Sequence, residues 1–574
     1  GGWSVFSELS CGTDVEKTYG LIPGYGYRYL TRTAETTESG LIRVLERERT
    51  YQDLDGDGHK DLILDRFTLN GKPTDVAHDL IRSEKTVTSP EGRQAVTAYD
   101  PATYQAQRVS VPALFDTTYD YYADGRLKQI LTGTREWYFT YDALGDLYTA
   151  RDPRGQVTTF EEYDAVGRVK AVRRPDNTVV RFDYDFNGNM TVLTTPSAVD
   201  HVFGYNDVNR NDLYETPISG EYVYRYDRDR RLTEILFPSG RSIEHVYSDG
   251  RLDYTMMPEG PVDVSYFCAS KIQSVTQGSE TVHYSYDASL ITEETFSGTL
   301  NQSLGYTYSN DFDVDSVTYA GDTDACTYDD DGLLTGAGRF IIGRKPANGL
   351  PESVADTSFA LNRTFNGYAE VDTETYEGGL GNLFDWRITA RYPDGRIQEK
   401  TETVLGATLV FGYTYDPFGL LLTVTRDGVL AEEYRYDAAG TREYEMNALR
   451  NISGRSFTYS VEDHLYTAGD AAYNYDLDGF LTRKIEGGAV TGYTYSSRGE
   501  LLRVDLPDGR VIEYIHDPLG RRIAKKLNGV ITEKYLWSGQ TTLLAVFDAG
   551  DNLRYRFEYT DGRVPLAMTD GSGR

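Results

Sequence analysis

The sequence predicts an all-β protein: a long antiparallel sheet of repeated hairpins that spirals into a hollow shell. Three observations lead to this prediction. A Tyr-Asp-x-x-Gly motif recurs at a fixed period, a second turn motif falls midway through each period, and strand-like stretches lie between the two. The motif is plain in "YDALG" from Tyr141, "YDAVG" from Tyr163 and "YDLDG" from Tyr475.

The tyrosine of each motif, or the residue that replaces it, marks the period of the repeat. From residue 121 to residue 247, successive anchors are 20 to 22 residues apart. The anchors are Tyr121, Tyr141, Tyr163, Tyr184, Tyr205, Tyr226 and Tyr247, and later Tyr286, Tyr308, Tyr328, Tyr415, Tyr436, Tyr475, Tyr495 and His516. A fixed period of this size is typical of stacked supersecondary units and not of separate domains.

The residue types of the two motifs are those of tight turns. In the first motif, the Asp can accept hydrogen bonds from amides two residues on, and the Gly supplies a positive φ. In the second, found in "DPRG" at 152 and "LPDG" at 506, Pro presets φ and Gly takes the left-handed position. The tyrosine ends a strand, from which its side chain can reach across to the neighbouring strand. Stretches between turns, such as "VVRFDY" from Val179, alternate and are rich in β-branched and aromatic residues, which predicts strands.

The number of repeats decides the shape of the sheet. From about residue 116 to the end, the period gives roughly twenty hairpins and about forty strands. A flat ribbon of that many strands would be about 190 Å wide, whereas open twisted sheets rarely exceed about ten strands without curling. We therefore expect a spiral that buries its own edges around a central space. A compact sandwich is the alternative, but a single unbroken period favours the spiral.

Composition excludes several classes of partner. The formal net charge is −31, which opposes binding to nucleic acids and to anionic membrane surfaces. No apolar run approaches the roughly 18 residues that a membrane helix needs. The first residues, "GGWSVFSELS", lack the basic flank and apolar core of a signal peptide.

Residues 1–115 do not keep the period, and we predict a separate β-rich region that contains a calcium-type loop. The loop is "DLDGDGHKDLIL" from Asp53, in which carboxylates alternate around glycines that allow a sharp bend. Ca²⁺ prefers six to eight oxygen ligands. The predicted ligands are Asp53, Asp55, Asp57, the His59 carbonyl oxygen and Asp61. An EF-hand would have Glu where Leu64 stands, so we expect a structural Ca²⁺ ion in a loop between two strands, with a solvated acidic turn as the alternative.

Neither a disulfide framework nor a catalytic site is evident. The three cysteines, Cys11, Cys268 and Cys326, leave open one Cys268–Cys326 bridge, with free buried thiols as the favoured interpretation. The histidines have no metal-ligand spacing, and the sequence contains neither a Gly-x-Ser-x-Gly elbow nor a Walker loop. We predict that the chain is not an enzyme.

Three motifs resemble those of bacterial RHS/YD-repeat proteins: "YDAVGR" from Tyr163, "GNM" at 188–190 and the late segment "EKYLWSGQTTLLAVFD" from Glu533. That family includes the shell part of insecticidal Tc toxins and the YD shell of animal teneurins. The likeness covers about residues 116–574. It implies a hollow β-shell, which in many relatives encloses a C-terminal toxic or variable polypeptide and in teneurins serves cell-surface contact.

The resemblance sets the functional expectations. The leading one is a structural encapsulation shell that encloses its own C-terminal polypeptide as cargo and carries it outside the cell. The alternative is a secreted or cell-surface adhesin or carbohydrate-binding protein without cargo. In the family, a C-terminal core with paired Asp-Pro-x-x-Gly motifs cuts the chain, and we expect that core to follow residue 574. By register, "DPFG" at 416 and "DPLG" at 517 are ordinary repeat turns. The Tyr-Asp anchors lapse between Tyr328 and Tyr415, where hairpins with altered turns are expected.

Overall fold

The computed structural model describes residues 3–9, 11–22, 26–268, 270–379, 381–560 and 562–572. Within these residues the chain forms 53 strands and one 3₁₀ turn, Ala448–Arg450. The all-β prediction is confirmed. The first 46 strands form two layers of 23 strands each, and the last seven strands lie in a third layer.

The first layer comprises β1 Trp3–Leu9, β2 Thr13–Leu21, β3 Arg28–Thr36, β4 Ile42–Gln52, β5 Leu62–Leu69, β6 Lys72–Asp79, β7 Glu84–Thr88, β8 Gln94–Tyr99, β9 Ala106–Ser110, β10 Thr117–Tyr121, β11 Leu127–Thr132, β12 Arg135–Tyr141, β13 Leu147–Arg151, β14 Val157–Tyr163, β15 Val169–Arg173, β16 Val179–Tyr184, β17 Met190–Thr194, β18 Asp200–Tyr205, β19 Asn211–Glu215, β20 Glu221–Tyr226, β21 Leu232–Leu236, β22 Ser242–Ser248 and β23 Arg251–Met256. The second layer comprises β24 Val262–Phe267, β25 Lys271–Gln277, β26 Glu280–Asp287, β27 Leu290–Ser297, β28 Gln302–Tyr308, β29 Val314–Tyr319, β30 Asp322–Tyr328, β31 Leu334–Ala337, β32 Phe340–Arg344, β33 Pro351–Ala355, β34 Phe359–Phe365, β35 Val371–Gly378, β36 Gly381–Arg391, β37 Ile397–Val404, β38 Ala407–Tyr415, β39 Leu421–Arg426, β40 Val429–Tyr436, β41 Arg442–Asn447, β42 Ile452–Tyr459, β43 Leu465–Ala468, β44 Ala471–Tyr475, β45 Leu481–Glu486 and β46 Ala489–Tyr495. The third layer begins with β47 Leu501–Asp505, β48 Val511–His516, β49 Arg522–Leu527, β50 Val530–Ser538, β51 Thr542–Phe547, β52 Leu553–Glu558 and β53 Ala567–Asp570.

The strands form one antiparallel meander. Each strand pairs with the strand before it and the strand after it, from β1–β2 to β52–β53. The pairing of β9 with β10 carries the sheet from the N-terminal region into the periodic part without a break. Strands β31 to β38 continue the hairpins through the segment where the Tyr-Asp anchors lapse, as predicted.

The repeat turn has the geometry that its residues predict. The Asp142 carboxylate accepts hydrogen bonds from the amides of Leu144, Gly145 and Asp146, at 2.8 to 2.9 Å. Gly145 has a φ of +100°, which a side chain would disfavour. The register shifts by one residue at Tyr141, so each turn begins with a β-bulge that bends the sheet.

The repeated tyrosine reaches across to its neighbour through its hydroxyl group. Tyr184 ends β16, and its hydroxyl donates a hydrogen bond of 3.0 Å to the carbonyl oxygen of Val169, the first residue of β15. The same contact to the start of the preceding strand is made by Tyr121, Tyr141, Tyr163, Tyr226, Tyr247, Tyr286, Tyr308, Tyr328, Tyr415 and Tyr436. The motif therefore requires Tyr and not Phe, because the hydroxyl joins consecutive hairpins.

Replacing Tyr184 by phenylalanine is expected to lower the free energy of opening of this hairpin by about 1 kcal/mol, the net value of one hydrogen bond. Hydrogen exchange at the amides of β16 measures that free energy. The matched control is Tyr148→Phe, since Tyr148 is 48% exposed. Equal effects of the two substitutions would contradict this role of the hydroxyl group.

Contacts between turns far apart in the chain show that the sheet coils. Ser89 Oγ lies 2.8 Å from Asp331 Oδ2, across 242 residues, and Ser239 Oγ lies 2.6 Å from Asp478 Oδ2, across 239 residues. The turn after β7 thus meets the turn after β30, and the turn after β21 meets the turn after β44, 23 strands apart in each case. The number of strands between two such turns must be odd. Turns after odd-numbered strands lie on one edge of the sheet and turns after even-numbered strands on the other, and in a spiral the upper edge of one layer meets the lower edge of the next. We call this line of turn-to-turn contacts the seam.

The protein is a wall and not a solid core. Its accessible surface is 30283 Å², about half as large again as the roughly 20,000 Å² expected for a compact monomer of 64.5 kDa. The largest buried apolar cluster lies where the third layer meets the second, and includes Phe296, Leu304, Leu536 and Phe547. The spiral shell is therefore confirmed, and the compact sandwich is excluded.

Candidate functional site

The seam decides whether the wall is closed, and its two sides have complementary chemistry. In most of its contacts, turns after odd-numbered strands supply cations and hydroxyl groups and turns after even-numbered strands supply carboxylates; the contact between Glu259 and Ser497 is reversed. Arg93 contacts Asp331 at 2.5 Å and Asp329 at 2.8 Å. Arg135 makes a paired contact with Glu370, at 2.8 Å from each nitrogen. Planar, bidentate pairs of this kind fix geometry as well as charge, so the layers are held in one register.

The fourth residue of the Tyr-Asp-x-x-Gly turn makes many of these contacts. Asp331, Glu462 and Asp478 all occupy that position, and each binds a turn of the preceding layer. Phe418 occupies it too, and its ring lies 4.4 Å below the Arg174 guanidinium. Sequence reasoning missed these residues because it assigned chemistry only to the Tyr, Asp and Gly of the motif. The signal that could have found them is an acidic fourth residue in the later repeats.

Glu462 is the most strongly perturbed carboxylate of the seam. It accepts hydrogen bonds of 2.8 Å from the amides of Ile218 and Ser219, and a third from the Ser219 hydroxyl. Its side chain is only 7% exposed, and burial alone would raise its pKa. The donors outweigh burial and lower the pKa of Glu462 to about 2. The carboxylate is therefore held in its charged form at the seam.

A buried ion cluster joins the third layer to the second. Arg521 lies 2.8 Å from Glu294 of β27 and 2.6 Å from Asp517. Burial raises the pKa of Glu294 despite the opposing charge of Arg521. Asp517 also accepts the amides of Leu519 and Arg521, so "DPLG" at 517 forms a repeat turn as the register predicts. Asp416 of "DPFG" likewise accepts the amides of Gly419 and Leu420.

The cysteine prediction was wrong. Cys11 and Cys268 form a disulfide with a Cα–Cα distance of 5.7 Å, and Cys326 is the free thiol. The expected alternatives were free thiols throughout or a Cys268–Cys326 bridge. Cys11 follows β1 and Cys268 follows β24, and the seam brings these two turns together. The chain separation of 257 residues could not be interpreted without knowing the length of a layer.

The predicted calcium loop lies between β4 and β5, where its carboxylates partly converge. Oxygens of Asp53, Asp55 and Asp61 lie within 4.8 Å of one another, with Asp61 buried and the other two exposed. The Asp57 carboxylate does not belong to that group and accepts a hydrogen bond of 2.7 Å from the His59 amide. Asp53 also accepts the amides of Gly56 and Gly58, which bend the loop. Three convergent carboxylates suit a hard cation, and calcium binding remains a prediction.

Other sites for chemistry are few in the part of the chain that the structure describes. There, the three loop aspartates are the one group of three or more His, Cys, Asp or Glu side chains with metal-binding proximity. Burial lowers the pKa of His78, His245 and His516, the last to about 4. No helix among the described residues has the length and apolar character needed to span a membrane.

The relatives in sequence are proteins of much greater length. Teneurin-3 of Danio rerio is 26% identical over 435 residues, which are 67% of this chain and 16% of that protein. Double-stranded DNA deaminase toxin A of Burkholderia cenocepacia is 25% identical over 497 residues, 80% of this chain and 33% of that protein. This chain thus spans a third or less of the length of these two relatives.

Solved structures share the fold. The crystal structure of TcdB2-TccC3 matches with a TM-score of 0.62 at 12% identity, covering 97% of this chain and 36% of the other. The complex TcdB2-TccC3-Cdc42 matches with a TM-score of 0.63, covering 98% and 35%. A family model described as "Teneurin YD-shell" matches residues 69–574. The match includes every described strand from β6 onward, and the chain therefore belongs to the teneurin YD-shell family, whose members build structural β-shells.

Proposed function

We propose that this shell encloses a polypeptide attached on its C-terminal side and carries it outside the cell. The observation that carries the proposal is the seam: one sheet forms successive layers, and charged contacts of 2.5 to 2.9 Å join their edges. Contacts this short hold the edges of successive layers together, as the wall of a container requires. One relative is named a toxin, and the matching solved structures include complexes of TcdB2 with TccC3, which supports the assignment.

The proposal is tested on the full-length natural product by its chain masses under denaturing conditions. Two pieces, with a cut downstream of residue 574, are the expected result, because a carried polypeptide must be separable from its wall. One intact chain would contradict the carrier function. Protease treatment of the native product then asks whether the second piece is enclosed.

The seam offers a matched pair of variants for the protease experiment. Asp478 is fully buried and binds both Ser239 and Arg241, so Asp478→Ala is expected to open the wall and expose the enclosed piece to protease. Asp505→Ala removes an ion pair with Arg503 in which both side chains are more than 40% exposed, and should leave protection unchanged. Equal protection in both variants would mean that the seam does not retain the cargo.

A second candidate function is binding at a cell surface, by a secreted or surface-attached protein without cargo. A row of apolar side chains favours it: on successive turns of the first layer, Leu144, Val166 and Phe186 are 89%, 76% and 109% exposed. Exposed apolar rows of this kind mark interaction surfaces. Binding to cells or to a glycan array that is lost in Phe186→Ser would support this function, and an unchanged signal would exclude this row.

We also propose a structural Ca²⁺ ion held by Asp53, Asp55 and Asp61, with Asp57 and the His59 carbonyl oxygen as further ligands. Asp53→Asn is expected to weaken calcium binding at least tenfold, measured by titration calorimetry, since it removes one of the three convergent carboxylates. Asp75→Asn is the matched control, because Asp75 pairs with Arg66 on the neighbouring hairpin. Absence of calcium binding in the unmodified chain would leave the loop as a solvated acidic turn.

A further inference from the structure

A pocket of about 440 Å³ lies on one face of the first layer, over strands β4 to β9. Pockets that bind small molecules have volumes of about 300 to 1,000 Å³, are mostly apolar and contain a few polar groups. Apolar atoms make up most of the lining here as well. The lining residues are Arg49, Ile63, His78, Leu80, Lys85, Thr97, Tyr99, Tyr104 and Ala106. The pocket therefore has the size and the composition of a small-molecule site.

The register of the sheet brings these side chains together. Ile63 of β5 pairs with His78 of β6, which pairs with Lys85 of β7. Directly paired residues place their side chains on the same face of a sheet, so these three form a line across the pocket. At Tyr99 the register of β8 shifts by one residue, and Tyr99 pairs with Ala106 of β9. This β-bulge bends the sheet at one end of the pocket.

The turn beside the pocket departs from the repeat motif. It reads "YDPATY" from Tyr99 and is one residue longer than Tyr-Asp-x-x-Gly. The Tyr104 amide donates to the Asp100 carbonyl oxygen, as the Gly145 amide donates to that of Asp142 in a repeat turn. Tyr104 therefore occupies the position of the glycine, with a φ of +58°. A side chain in this conformation costs free energy, and such residues cluster at functional sites.

Burial of the Tyr104 side chain does not offset this cost, because the side chain is 74% exposed. Its ring stacks on the ring of Tyr99, with ring centroids 5.9 Å apart and an angle of 25° between the planes. The two rings form one side of the pocket. Aromatic rings stack in offset or edge-to-face geometry, so an open pair of this kind is a surface for a further ring. The strained turn thus presents an aromatic ring at the pocket without burying it.

The two charged residues that line the pocket, Arg49 and Lys85, are both cations, in a chain whose formal net charge is −31. Arg49 pairs with Asp65 at 2.5 and 2.6 Å, whereas the Lys85 side chain is exposed and open to a ligand. Burial lowers the pKa of His78, and the charges of Lys85 and Arg49 lower it further against the opposing charge of Asp65. The potential at the pocket is therefore positive, which favours a ligand with a negative group.

We propose that this pocket binds an aromatic carboxylate, with its rings against Tyr99 and Tyr104 and its carboxylate towards Lys85. The apolar lining and the tyrosine pair select the rings, and the exposed cation selects one acidic group. The proposal goes beyond encapsulation, because it assigns to the wall a small-molecule ligand of its own.

Photolabelling of the full-length natural product with benzophenone-4-carboxylate tests the proposal, because mass spectrometry then locates the attached label. Residues 63–106 are expected to carry at least threefold more label than with benzophenone, which lacks the carboxylate. Tyr104→Gly should lower this labelling at least tenfold, while Tyr104→Phe keeps the ring and should leave it within twofold. The melting temperature of Tyr104→Gly should be equal or higher, since glycine adopts a positive φ without strain.

A second pair of variants tests the cation. Lys85→Gln is expected to lower the labelling of residues 63–106 at least threefold, down to the level reached with benzophenone. Lys128→Gln is the matched control and should leave it unchanged, because Lys128 lies on β11 and pairs with Asp120. Lys85→Arg keeps the charge and should retain most of the labelling.

Three results would overturn the proposal. Equal labelling of residues 63–106 by the two benzophenones would show that the pocket does not select a carboxylate. Unchanged labelling in Tyr104→Gly would show that the tyrosine ring does not hold the ligand. A lower melting temperature of Tyr104→Gly would show that the ring serves the stability of the turn. The experiment needs no cargo, so its failure leaves the encapsulation proposal untouched.

Discussion

Replacing Arg521 by alanine is expected to lower the free energy of unfolding of the region where the third layer meets the second by about 3–5 kcal/mol. The arginine side chain is 2% exposed, as is that of Asp517, and Glu294 is 9% exposed. Removing the cation leaves two buried carboxylates without their partner, beside the apolar cluster that includes Phe296. The guanidinium carbon also lies 4.8 Å from the centre of the Phe296 ring, so packing is lost with the charge.

The loss of unfolding free energy in Arg521→Ala should depend on pH, because burial already raises the pKa of Glu294 while Arg521 is present. Without Arg521 that pKa rises further. A buried acid with a raised pKa destabilises the folded state increasingly as the pH rises above the value of the unfolded chain. The Arg521→Ala variant should therefore be least impaired near pH 5 and most impaired near pH 8.

Urea denaturation, monitored by hydrogen exchange at the amides of β27 and β49, measures this free energy of unfolding. Arg503→Ala is the matched control: Arg503 also pairs with an aspartate in the third layer, but it is 44% exposed, and its loss should change little. Glu294→Gln in the Arg521→Ala background should recover part of the loss, since it removes one unpaired charge. A loss below about 1 kcal/mol in Arg521→Ala would show that Arg521 contributes no more than a surface arginine.

The local fold was predictable from the sequence because it depends on local chemistry. In "YDALG" the Asp142 side chain closes the turn, Gly145 allows its positive φ, and Tyr141 reaches the preceding strand. Each of these interactions lies within about one period of the chain. The repeat therefore specified hairpins, pairing order and the need to coil.

The length of a layer was not predictable in the same way. It depends on the small bend that each hairpin adds, and errors in that bend accumulate over 23 strands. Without that length, no partner of Asp331, Glu462 or Cys268 in the preceding layer could be assigned. This is why the cysteine prediction failed, although the three cysteines were noted. The convergence of the loop carboxylates Asp53, Asp55 and Asp61 was predictable, since they lie within nine residues of each other in the chain.

Replacing Glu462 by glutamine is expected to weaken the seam at neutral pH by about 2–3 kcal/mol, and by less in acid. The carboxylate accepts three hydrogen bonds from Ile218 and Ser219, and these keep its pKa at about 2 against an ordinary value of 4.5. Since one pKa unit corresponds to about 1.4 kcal/mol, the preference for the charged form is worth about 3 kcal/mol. Glutamine keeps the shape and one acceptor oxygen but removes the charge.

The direction of the pH effect follows from a folded pKa that is lower than the unfolded one. The contribution of Glu462 is complete above pH 4.5 and is lost as the pH falls towards 2. The difference in the free energy of opening of the seam between the unmodified chain and Glu462→Gln should therefore be constant from pH 8 to pH 6 and fall by about half by pH 3. Hydrogen exchange at residues 216–220 measures it, because those amides open when the seam opens. Glu486→Gln is the control, since Glu486 is 60% exposed and pairs with Lys484 of its own strand. A difference that grows in acid would mean that Glu462 binds the first layer in its protonated form, and that the seam does not depend on its charge.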